Sequence, residues 1–162
     1  MLSNSKYEIR NLQFAFCFLL FALSSFLSAC STKTESPSND NSVKFQQYYV
    51  KGEQHFLKTC SNCHQKTGKG LGLLYPPLDQ SDFVDKNFEQ VICLMKNGIN
   101  GEIIVNGKGF NKAMPAIPSL TDIEVAEIAT YIYNSWGRER GIVEVQDATR
   151  ILLNCDSSLV GH

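Results

Sequence analysis

Cys60-Ser61-Asn62-Cys63-His64 is the stretch on which the interpretation of this chain turns. Two thiols flank two small polar residues, and an imidazole follows directly. On one turn of helix, Cys60 and Cys63 lie three apart and share a face. Both sulfurs can then add to the two vinyl groups of one haem as thioethers, while His64 places a ring nitrogen on the iron. Two other chemistries use similar residues. A redox-active C-x-x-C follows a strand in a βαβ pattern, and no such pattern surrounds residue 60. A structural zinc site draws its remaining ligands from a second Cys/His pair, and the chain has no other C-x-x-C and no H-x-x-H.

The chain has 162 residues, a length that suits one domain. Its composition, 43% hydrophobic and 19% charged, is that of a globular protein. A formal net charge of −1 gives no electrostatic case for nucleic acid. The six cysteines, at 17, 30, 60, 63, 93 and 155, each have a separate explanation, so they do not form a set of three disulfides.

Residues 1–29 have the pattern of an export signal. Lys6 and Arg10 supply a positive start, and an apolar run from Leu12 to Leu27 follows, shorter than the ~20 residues needed to cross a bilayer. The run contains Cys17 and ends in Leu27-Ser28-Ala29-Cys30, which resembles a bacterial lipobox. That resemblance implies diacylglycerol on Cys30, cleavage before it, and a stable membrane anchor. Loss of Lys6, Arg10 and Glu8 from the 15 basic and 16 acidic side chains leaves 13 and 15. Residues 31–42 carry no large apolar side chain, so 30–42 is expected to be a lipidated, flexible tether. Export also places the protein where thiols stay oxidised.

From residue 43 to 59 apolar side chains recur at helical spacing: Phe45, Tyr48, Tyr49, Phe56 and Leu57. Gly52 in their midst marks close approach by another helix, and His55, off that face, is expected at the surface. Residues 65–81, with three glycines and Pro76-Pro77, form a loop. A ligand histidine needs an acceptor for its second nitrogen, and the Pro76 or Pro77 carbonyl can supply it. Asp82–Asn97 contains a helix, clearest from Asn87, with Phe88, Val91, Ile92, Leu94 and Met95 on a buried stripe and Gly98 as its stop. Asn106-Gly107 marks a small two-stranded hairpin within 102–110.

Pro115 and Pro118 keep Met114 out of any helix, so it cannot belong to a helical core stripe. Thr121-Asp122-Ile123-Glu124 is a capping box that opens a helix running to about Ser135, with Ile123, Ala126, Ile128, Tyr131 and Ile132 as its apolar contacts. Trp136 is expected to pack. Residues 138–162 form an extension with a short helix near 145–152. Cys93 and Cys155 have neither a haem nor a lipid role. They are a candidate disulfide pinning the extension to the middle helix, or else two free thiols.

Taken together, residues 43–137 resemble a monohaem class I cytochrome c. Gly52 and Phe56, eight and four residues before Cys60, match that family's first-helix contact positions; Ile128 and Tyr131 match their partners on the last helix. Pro76, twelve residues after His64, matches the family's proline, and Met114 its axial methionine. The resemblance implies an all-α fold of three to five helices around one covalent haem c, with His64 and Met114 on the iron. Met95, His55 and His162 are weaker candidates for the sixth position. The function implied is that of a one-electron carrier, not an enzyme, exchanging electrons in a periplasmic respiratory chain with a donor and a terminal oxidase or reductase. The alternative is a small haem peroxidase or gas sensor whose methionine leaves the iron. The acidic balance of the exported chain points to a partner surface of basic character.

Overall fold

The computed structural model describes residues 37–155. The export signal with Cys17, the lipid site at Cys30, and His162 lie outside the described residues. Helix α1 (Pro37–Thr59) begins six residues before the expected start, with Pro37 as its first residue. That position suits proline, whose fixed φ is helical and whose missing amide has no partner to lose. Part of the expected tether is thus helical: the absence of apolar side chains argued against burial, not against helix.

The haem motif continues the path of α1. The Cys60 amide donates to the Phe56 carbonyl at 2.9 Å and the His64 amide to the Cys60 carbonyl at 3.0 Å. One-turn α2 (Ser61–His64) therefore presents Cys60, Cys63 and His64 as a helical extension. The next helical stretch is broken into α3 (Asp82–Lys86) and α4 (Phe88–Asn97). Asn87 causes the break: its backbone amide and its side-chain amide both donate to the Phe83 carbonyl, at 3.0 and 2.9 Å.

Strands β1 (Ile103–Val105) and β2 (Lys108–Phe110) form an antiparallel hairpin with Ile103 opposite Phe110. Asn106 and Gly107 make its turn at φ 52° and 73°, the left-handed conformation of a tight hairpin. Helix α5 (Asp122–Ile132) carries the capping box, with the Thr121 amide donating to the Glu124 carboxylate at 2.8 Å. It ends before Ser135, because the Asn134 side chain bonds both Thr130 and Gly141 and turns the chain back. Helix α6 (Val145–Leu153) closes the order. The described residues thus hold six helices, two of them very short, and one hairpin, an arrangement consistent with a cytochrome c fold.

The largest contact between elements is the crossing of α1 on α5. A Cβ at Gly52 would collide with the Glu127 carbonyl, so the two backbones touch there. Phe56 and Ile128 are fully buried, and the Phe56 and Tyr131 rings lie 5.2 Å apart. Trp136 packs on both, at 5.7 and 5.8 Å. Two expected core residues face outward: Ile123 is 41% exposed and Leu57 37%, while Val125 and Ala129 fill the interior. His55 is not at the open surface. Its ring lies between α1 and α5, with Nε2 3.3 Å from the Glu127 carboxylate and Nδ1 3.7 Å from that of Glu124. The extension is fastened by Lys44–Glu144 at 2.6 Å and by a Cys93–Cys155 disulfide. Among the described residues no helix is long and apolar enough to cross a membrane.

Candidate haem-binding site

Cys60 with α2, the 65–81 loop, α3, α4, the hairpin and residues 112–115 enclose one apolar cleft. Cys60, Cys63, His64, Pro76 and Met114 all line it. The cleft is open at its mouth and has a cavity volume of about 110 Å³. The walls are supplied by residues such as Leu78, Val84, Val91, Leu94, Ile103 and Phe110. A large flat apolar group fits such walls; a hydrated ion does not.

His64 is held by the loop that follows it. The Gly70 amide donates to the His64 carbonyl at 3.0 Å, and the Leu78 and Asp79 amides both donate to the Gly68 carbonyl, at 2.6 and 2.9 Å. The chain therefore folds back and lays the Pro76 carbonyl 3.0 Å from His64 Nδ1. Gly70, at φ 65°, sits where a Cβ would strike the Tyr75 and Pro76 carbonyls. A proline carbonyl can only accept, so Nδ1 carries the proton and Nε2 keeps its lone pair for a metal. Burial pushes the His64 imidazole below its usual range, against the opposing pull of the Pro76 bond. The neutral form needed for metal coordination is favoured.

Cys60 and Cys63 are both free, whereas the other two described cysteines are bonded to each other. Burial raises the Cys60 thiol above its ordinary value, with the Thr59 hydroxyl acting in the opposite sense. Met114 reaches the cleft from a separate anchor. Its amide and carbonyl pair with Ile99 at 3.0 and 2.9 Å, tying the Met114 stretch to the chain just past α4. Met95 also lines the cleft, from the core face of α4. His55 does not line it.

The donor set has two thiols, one imidazole and one thioether among otherwise apolar walls. Among the described residues no three His, Cys, Asp or Glu side chains converge as a metal site. An ion bound by protein ligands alone would need such a group, while an iron held by a porphyrin needs only axial donors. Residues suited to a haem are therefore present: Cys60 and Cys63 would hold it covalently, and His64 and Met114 would face its iron.

Several lining residues were missed in the sequence. Tyr75, beside Cys63, gave no signal in a glycine-rich loop. The hairpin looked like a flap, yet Ile103, Val105 and Phe110 form a wall of the cleft. A signal existed there: alternate residues of a strand share a face, and Ile103 and Val105 point one way while Ile104 points the other.

Comparison with known proteins follows the same lines. The family profile described as "Cytochrome C oxidase, cbb3-type, subunit III" matches residues 49–132, more than half of the chain. Cytochrome c-552 of Thermus thermophilus is 32% identical over 82 residues, covering 48% of this chain and 63% of that protein. The cytochrome c subunit of a quinone alcohol dehydrogenase from Gluconacetobacter polyoxogenes is 28% identical over 106 residues, 63% of this chain and 22% of that one. The chain thus spans less than two thirds of the length of these relatives. With the matched segment running from the first helix through the haem motif to the end of α5, the chain belongs to the cytochrome c family described as cytochrome c oxidase, cbb3-type, subunit III, and its cofactor is a c-type haem.

Proposed function

We propose that the chain is a monohaem class I cytochrome c of lipoprotein type, a membrane-anchored carrier of single electrons facing the periplasm. The observation that carries this is the His64 ring, fixed by the Pro76 carbonyl at 3.0 Å, in one apolar cleft with two free thiols and a separately anchored methionine. When bound, the haem supplies one reversible electron between ferrous and ferric iron. The protein's part is to keep that exchange simple. His64 is held neutral and oriented, the thioether of Met114 favours the reduced form, and apolar walls keep water out. A haem iron held by both His64 and Met114 would have no coordination site left for a substrate, which favours electron carriage over enzyme chemistry. Haem-based electron transfer accords with the cytochrome c relatives, and the relative within a quinone dehydrogenase supports exchange with other redox proteins.

In this reading residues 1–29 direct export, Cys30 carries lipid, and the chain up to residue 42 gives reach from the membrane. Residues 43–137 form the electron-transfer domain and 138–162 an extension on it. A respiratory donor and a terminal oxidase or reductase are its partners. The test is anaerobic redox titration of the purified mature protein with spectra. A single one-electron wave at high potential is expected, with the weak far-red band of a thioether bound to ferric iron. Covalent haem staining on a denaturing gel and mass spectrometry of the Cys30 peptide test attachment and anchor. Rapid carbon monoxide binding to the untreated ferrous protein would instead favour the gas-binding alternative.

A further inference from the structure

Helix α1 repeats itself along its outer face. Val43-Lys44, Val50-Lys51 and Leu57-Lys58 recur every seven residues, close to two full turns. The inward positions Tyr48, Gly52 and Phe56 are buried, and Gly52 and Phe56 meet α5. Val43, Val50 and Leu57 are instead 53%, 46% and 37% exposed. They form a narrow apolar stripe on one side of the helix, with Gln46, Gln47 and Gln54 exposed beside it. Positive charge edges this stripe. From residue 43 to 59 the helix carries Lys44, Lys51 and Lys58 against a single acid, Glu53. Lys44 reaches Glu144. Lys51 and Lys58 are exposed, and among the described residues neither is in an ion pair. This excess of base stands on a chain whose expected mature balance is acidic, 13 basic against 15 acidic side chains.

A second copy of the chain and an anionic lipid surface both offer cover for an apolar stripe beside lysines. A helix-to-helix seam needs a second apolar column three or four residues after the first. Here those positions hold Gln46, Gln47, Glu53 and Gln54. A lipid surface needs only one apolar line and a row of cations at headgroup level. The place of the expected anchor favours lipid. Helix α1 begins at Pro37, and only residues 31–36 separate it from Cys30. Fully extended, that link reaches about 25 Å. A contact too weak to bind alone is sufficient when a tether this short holds it at high local concentration.

We propose that the outer face of α1 lies on the anionic headgroups of the bilayer that holds the Cys30 lipid. Val43, Val50 and Leu57 meet the acyl boundary, and Lys51 and Lys58 meet phosphate. The inference rests on the lipoprotein reading and adds to it the surface that the anchor brings down. Other residues line the haem cleft, so one surface holds the chain to lipid and another exchanges electrons.

The test is a lysine footprint of the haem-loaded, lipidated protein. It is reconstituted into vesicles of phosphatidylcholine alone, or of equal parts phosphatidylcholine and phosphatidylglycerol, acetylated briefly and read by peptide mass spectrometry. Lys51 and Lys58 should label about threefold or more slowly in the anionic vesicles at low salt. The difference should vanish in about 1 M salt, where the Debye length is about 3 Å. Lys66, Lys69, Lys108 and Lys112, exposed elsewhere, should label alike in both. Val50→Ser with Leu57→Ser should keep the haem spectrum and bring the two rates at Lys51 and Lys58 together. Equal rates at these lysines in the parent would overturn the proposal. So would protection that appears in detergent and grows with protein concentration, the sign of a second copy on the stripe. Protection of Lys66 and Lys69 instead would show the cleft mouth facing lipid, and would overturn it too. Failure of the lipoprotein reading looks different: the Cys30 peptide would lack the mass of diacylglycerol and the protein would float with neither vesicle, which removes the proposal with it.

Discussion

Met114 sits among prolines that deny it a helix, and a two-way backbone pairing with Ile99 holds it against the cleft. Replacing it by alanine removes a thioether without touching His64 or the cysteines. Met114→Ala is expected to lower the reduction potential by on the order of a few tenths of a volt, within the roughly 0.8 V that axial ligands span. The ferrous variant should also bind carbon monoxide quickly, as stopped-flow absorbance would show. An unchanged potential would shift attention to Met95, the other methionine in the cleft wall. Single residues with chemistry were the most legible part of this sequence, because thiol, imidazole and thioether have few other uses at such spacings. Tyr75 and Ser81 line the same cleft but belong to residue types that loops use for many purposes, so nothing in the sequence marked them.

Between elements, the crossing of α1 on α5 is set by what is absent at position 52. Gly52→Ala should raise intrinsic helix propensity by about 1 kcal/mol, yet the added Cβ meets the Glu127 carbonyl and the Tyr131 Cβ. Overpacking of this kind costs about 1–3 kcal/mol. The expected outcome is net loss of stability on denaturant titration, with the haem spectrum retained. At the start of α5, Thr121→Ala removes a cap contributing about 1 kcal/mol. It also changes the pH dependence. The Glu124 carboxyl is held below its usual range by the Thr121 amide first and the Thr121 hydroxyl second. A depressed folded value stabilises above the unfolded pKa of about 4.3 and is lost as pH falls through the folded one. Thr121→Ala should therefore show a shallower loss of stability on acidification below that point. Glu127 works in the opposite direction, since burial raises its carboxyl and the His55 charge only partly lowers it again. The capping box was plain in the sequence because its partners are three residues apart. The Glu127–His55 contact was not, because it joins helices that meet only in the fold.

Over the whole molecule, the extension after α5 is the part least like a minimal electron-transfer domain, and it is fastened at several points. Val143 donates its amide to the buried Thr130 hydroxyl, Thr149 donates to Asp122, and Cys155 is bonded to Cys93 on α4 across 62 residues. The two unassigned cysteines were visible in the sequence, but whether they meet depends on how α6 lies against α4, which no local pattern encodes. Cross-linking a loop of that length stabilises by about 4 kcal/mol on the chain-entropy estimate, chiefly by restricting the unfolded chain. A Cys93→Ala, Cys155→Ala double variant should therefore lose on the order of 2–4 kcal/mol in denaturant unfolding. Cys93 is followed on α4 by Leu94 and Met95, which line the cleft, while neither Cys93 nor Cys155 lines it. The bond thus braces the back of the wall rather than the site itself. Far below the denaturation midpoint, the double variant should keep the parent's reduction potential and visible spectrum. A large fall in potential without unfolding would instead mean that the bond holds α4 against the cofactor, and that the extension tunes the site as well as stabilising the fold.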